Sequence, residues 1–130
     1  MKSTVTQGTP ATVSGQAAAL PTPTQSSQGS HSFQDWYGEG DALANAGTYD
    51  RALRCFEEAT ILVPDAIAAL VYQAVCLIHL EQPGLALAMT DRILAIAPEH
   101  PHGWLYRGVA QHRLGRYKEA YASYGRVQPS

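Results

Sequence analysis

Charge is scarce in this chain. Asp, Glu, Lys and Arg make up 15% of 130 residues, with a formal net charge of −2. After His100, Arg107, Arg113, Arg116, Lys118 and Arg126 face only Glu119, which falls short of the dense basic stripe that nucleic-acid binders use, so no nucleic acid is expected as partner. Cysteine is sparse too. Cys55 and Cys76 form neither a CxxC spacing nor a framework of close pairs, so both read as small buried side chains in a reducing, cytoplasmic setting. No apolar run approaches the roughly 18–20 residues that cross a bilayer; Ala66 to Leu80 comes nearest and is closed off by Pro64-Asp65, which excludes membrane insertion as an expectation. Catalytic constellations are missing as well. His100-x-His102 lies between prolines without a nearby Cys or Asp, a poor metal set. Glu57 and Glu58 are adjacent on a helix and point apart, Gly38 and Gly40 make no phosphate loop, and the serines have no His or Asp arrangement to activate one. The expectation is a protein that is no enzyme and holds no metal and no cofactor.

What is present falls into two parts. Residues 1–32 are built from Ser, Thr, Gln, Ala, Gly and Pro, with Lys2 the sole charge apart from His31. Such a stretch has too little apolar surface to offset the entropy of ordering it, so it is expected to be a disordered tail. Ala17 to Leu20 is too brief for the core of a secretory signal. From Phe33 onward a period of thirty-four residues appears. It carries Trp36 to Leu70 and Trp104, Gly40 to Ala74 and Gly108, Ala52 to Ala86 and Ala120, and Pro64 to Pro98. Leu43 lands on Leu77, while Gly47 reaches Gly115 and Tyr49 reaches Tyr117 in two steps.

A fixed period of this length marks a stacked helical repeat. The chain resembles the tetratricopeptide repeat (TPR) family over residues 33–130, in repeats of about 33–66, 67–100 and 101–130. The resemblance implies an all-α, right-handed solenoid of three antiparallel helix pairs.

Local signals agree with that division. Trp36, Gly40 and Leu43 share one helical face, Gly47 ends the helix in a left-handed turn, and Thr48 is placed to cap the next with Asp50 in its first turn. Gly40 is expected to face Ala52 and let two backbones approach, with Trp36 and Phe56 filling the sides. Pro64 breaks the pair by forcing Val63 out of helical geometry. In the second pair Asp65 is the expected cap and Gln82-Pro83-Gly84 the turn, followed by a helix from about Leu85 to Ile96. Here Glu81 takes the turn glycine's place and Thr90 the aromatic's, with Ile93 and Leu94 expected to make up the volume. Pro101 suits a first helical turn. The chain stops at Ser130 with no further helix, although arrays of this family usually finish with a solvating one. The expectation is that the chain is a fragment, or that another protein, such as a second copy, covers that end.

In the family, the first helix of each pair lines a concave groove that holds a peptide or helix. By angular position that groove would collect Tyr37, Asp41, Ala44 and Asn45, then Val71, Val75, Ile78 and His79, then His102, Leu105, Val109, His112 and Arg113. Such a groove is mostly apolar, with Tyr at one end and His and Arg at the other. Family members that clamp the C-terminal carboxylates of heat-shock proteins use Lys, Arg and Asn at these positions. Here they are Tyr37, Asp41, Val71, Tyr72, His102 and Tyr106, which cannot form the charge-assisted bonds of a carboxylate clamp. The expected partner is a protein or peptide with apolar anchor residues, docked on an adaptor or chaperone-like scaffold. Two alternatives stand beside it. Ten acids against Arg51, Arg54 and Arg92 between Asp35 and Glu99, followed by the basic third pair, would let copies stack end to end as a homo-oligomer. The chain would otherwise be the non-catalytic region of a larger enzyme.

Overall fold

A computed structural model describes residues 31–127. Residues 1–30 of the expected tail and the last three residues lie outside them. The described residues form six helices and no strand: α1 Phe33–Asn45, α2 Tyr49–Leu62, α3 Ile67–His79, α4 Pro83–Ile96, α5 Pro101–Arg113 and α6 Tyr117–Gly125. Each helix packs on the next in sequence, and α3 also meets α5, so α1, α3 and α5 form one row and α2, α4 and α6 the other.

The recurring small residues sit where the helices cross. Ala52, Ala86 and Ala120 are all fully buried, as a residue must be where two helix axes approach within a side chain's width. Gly40 also gives room to a side chain. A Cβ there would lie 2.8–3.0 Å from the ring of Phe56, so the glycine admits an aromatic ring from α2. Gly108 repeats the arrangement, the place of its absent Cβ taken by the ring of Tyr124. Phe56 is the largest fully buried side chain. It stacks on Tyr72 at 4.6 Å between centroids and meets Tyr37 edge-on at 5.7 Å.

Turn chemistry follows the sequence where backbone sign decides it. Gly47 and Gly115 adopt φ of +82° and +79°, and Glu81 is held at φ 60° in the same position of the second pair. Val63 is extended at φ −133°, ψ 88°, as the following proline requires. The caps depart from expectation. Thr48 occupies the N-cap position but makes no side-chain bond there. Ala66, not Asp65, precedes α3. Pro83 opens α4 instead of forming the turn, because its fixed φ suits a first helical residue whose N–H would go unbonded anyway.

Buried polar groups are matched. Gln73 of α3 donates to the Phe56 carbonyl at 3.1 Å and to the Thr60 hydroxyl at 2.8 Å, tying the first pair to the second. Thr90, in the slot of Phe56 and Tyr124, is fully buried and donates to the Leu87 carbonyl at 2.7 Å. Fully buried Ile93 supplies volume near it, and with Leu94 it packs onto Gly103. Three cations of the third pair reach back to the second. Arg107 bonds Asp91, Arg113 approaches Glu81 at 3.7 Å, and Arg126 approaches Glu99 at 3.7 Å. The separation into an acidic body and a basic end is therefore weaker in space than in sequence.

Candidate functional site

The inner row of helices encloses a trough of about 560 Å³ lined by Tyr37 of α1, Ile67, Ala68, Val71, Tyr72 and Val75 of α3, and His100, His102 and Tyr106 around the start of α5. It is largely aliphatic because α3, the most apolar of the helices, contributes Ile67, Ala68, Val71 and Val75 to the lining. Its walls are aromatic. Tyr37 and Tyr72 meet edge-on at 5.7 Å, and His102 tilts against Tyr106 at 6.0 Å.

Two polar side chains of the trough, Tyr72 and His100, are already hydrogen-bonded. The Tyr72 hydroxyl donates to Asp41 at 2.6 Å, and that bond, with burial and the carboxylate's charge behind it, pushes the Tyr72 phenol up to about 12. Tyr37 is also raised, by burial and then by Asp41. His100 caps α5, its Nδ1 accepting the Gly103 N–H at 3.3 Å. Burial, and next the neighbouring His102, lower its pKa below the ordinary histidine value. Trp104 faces elsewhere, donating to the Pro98 carbonyl at 2.8 Å beneath the Arg126 guanidinium, 4.3 Å from the ring centre.

Of the residues expected in the groove, the trough gathers Tyr37, Val71, Val75 and His102. Asp41 stands one contact behind it, through Tyr72. The others are placed elsewhere. Ile78 of α3 lies in a buried cluster with Leu77, Ala86 and Ala110, and half-buried Val109 of α5 packs against it; both face neighbouring helices and stand outside the trough's lining. Ala44 packs against the first core cluster. His79 stacks flat on Tyr49 at 4.1 Å, and exposed Asn45 and half-buried Leu105 stand outside the lining. His112 packs edge-on with Tyr117 at 4.9 Å, while Arg113 caps the end of α3 through the Ile78 carbonyl at 3.5 Å. The cationic end expected of the groove is therefore absent from the trough. Sequence reasoning passed over Ile67, Ala68 and His100. Ile67 and Ala68 begin α3, where the groove face starts one turn before Val71, and that signal was available in the period. His100 gave no such signal, since histidine is not among the residues that usually cap helices.

Cys55 and Cys76 are free and buried; burial raises both thiols, Cys76 to about 11, away from the thiolate form that reacts. No group of three His, Cys, Asp or Glu side chains suited to a metal occurs among the described residues. Among them, too, no helix is long and apolar enough to cross a membrane.

Paired helices in two rows with an open inner face define a helical-repeat protein. The tetratricopeptide repeat model matches residues 37–101 and again 81–129, and the chain belongs to that family. Human FK506-binding protein-like is 33% identical over 96 residues, covering 68% of this chain and 28% of that protein; the chain thus spans little more than a quarter of that relative's length. The first TPR of Spaghetti (RPAP3), solved bound to the HSP90 peptide SRMEEVD, superposes with a TM-score of 0.71 at 21% identity, over 73% of this chain and 75% of that one. SycD, a type III secretion translocator chaperone from Yersinia enterocolitica, gives 0.70 at 15% identity, over 73% and 71%.

Proposed function

We propose that this chain is a non-catalytic protein-interaction module of the cytoplasm, an adaptor or chaperone-like scaffold that docks an apolar peptide or helix of its partner in the trough. One observation carries the reading: the concave face presents Val71, Val75, Ile67 and Ala68 between three tyrosines, with its nearest carboxylate already bonded. An open apolar surface of this kind needs an occupant. Peptide binding by the Spaghetti domain supports the general mode, and the name of SycD fits the chaperone-like variant. The acidic SRMEEVD peptide is not the expected ligand here, because the trough offers no Lys or Arg among its lining residues and Asp41 would repel it.

Selection from a phage-displayed peptide library on the folded protein tests this. Segments with spaced aliphatic or aromatic residues should be enriched, and Val75→Glu should weaken their binding by about tenfold or more without changing the melting temperature. Enrichment of acidic C-terminal sequences, or indifference to Val75→Glu, would remove the proposal.

A further inference from the structure

Resting on the trough reading, we propose that the segment it accepts is uncharged as well as apolar, and that mild acid releases it through protonation of His100. Two features of geometry carry this. First, His100 lines the trough and at the same time caps α5, accepting the Gly103 N–H through Nδ1. A neutral imidazole that accepts through Nδ1 carries its proton on Nε2. Adding the second proton places a hydrogen on Nδ1, facing the N–H it had received, so the cap bond is lost as the charge appears. Second, the trough carries no fixed charge. Its lining includes no Asp, Glu, Lys or Arg, and Asp41 behind it is matched to Tyr72. An apolar occupant would then be asked to cover a bare cation, which is unfavourable without a counter-charge.

The groups around His100 offer none. On α5 they are His102, with ring centres 5.8 Å apart, and Tyr106. Across the trough stand Tyr72 of α3 and Tyr37 of α1. α4 turns Ile93 and Leu94 toward the first turn of α5, and the adjacent Glu99 is drawn to Arg126. The lowered pKa of His100 agrees in sign: the folded protein favours the neutral ring. Unfolded histidine titrates near ~6.5. Between that value and the lower folded one, the unfolded chain binds more protons, so stability falls as pH falls through this window.

The test uses the full chain and N-phenyl-1-naphthylamine, an uncharged dye that brightens in apolar sites. From about pH 7.5 to about pH 5, carried below the ordinary histidine value because His100 is lowered, wild-type binding should weaken by about twofold or more. His100→Asn keeps a capping acceptor but does not titrate, so its binding should stay nearly constant; His100→Ser serves if the Asn variant misfolds. His102→Gln should keep most of the drop. A flat wild-type profile, or the same drop in the His100 variants, overturns the switch. A Val75→Glu control separates the two readings. If that variant leaves dye binding at neutral pH unchanged, the trough reading itself fails; if it abolishes binding while wild type shows no pH dependence, only the switch fails.

Discussion

Gly40 and Phe56 behave as one unit, as do Gly108 and Tyr124, because each ring occupies the place of a missing Cβ. The second pair carries Ala74 and Thr90 at the same two positions, both fully buried. Where a methyl is present, the ring is absent. Gly40→Ala should therefore destabilise by about 1–3 kcal/mol through overpacking, although alanine favours helix intrinsically. In a Phe56→Leu background the same change should cost less, with a coupling of about 0.5 kcal/mol or more in a double-mutant cycle read by chemical denaturation. Additive losses would show that ring and glycine act separately. Asp41 teaches a similar lesson about roles. Its position on α1 suggested a contact for the partner, yet its strongest bond is to Tyr72, which ties α1 to α3 and shapes the wall.

At the level of elements, the turns carry the most readable physics. The connections α1–α2, α3–α4 and α5–α6 each need a left-handed residue, and two of the three have glycine. The third uses Glu81 at φ 60°, a conformation that costs an L-residue roughly 1–2 kcal/mol. Glu81→Gly should raise stability by about 0.5–1 kcal/mol after allowance for the freer unfolded chain. The contact it removes, to Arg113 at 3.7 Å, is surface-exposed and contributes little. A fall in the denaturation midpoint would mean that this contact outweighs the backbone strain. The caps were less readable. Thr48 has the right chemistry and position but makes no bond, while His100, of the less usual chemistry, does.

Across the whole molecule, charge pairs between repeats bear on assembly. Arg107, Arg113 and Arg126 meet Asp91, Glu81 and Glu99, so three of the five cations in the third repeat are directed at its neighbour. End-to-end stacking driven by opposite charge is correspondingly weakened. We expect sedimentation to give the mass of one chain at low and high salt and across a wide concentration range. A mass that grows with concentration and shrinks with salt would instead favour the stacked homo-oligomer.

The thirty-four-residue period alone determined the helix count, the pairing, the buried alanines and the left-handed turns, because each follows from spacing or from the sign of φ. The resemblance to the family, and not the period, implied which row of helices is inner, and angular position on that row then named Tyr37, Val71, Val75 and His102, which line the trough. Only the tertiary structure decided which neighbouring residues join them. A rotation of a fraction of a turn sends Ile78 and Val109 into the core and leaves Val75 at the opening. Angular bookkeeping along one helix cannot resolve that difference, since it depends on where the next helix lies. The dual position of His100 had the same origin: a cap is local, but the trough beside it exists only once α1, α3 and α5 are brought together.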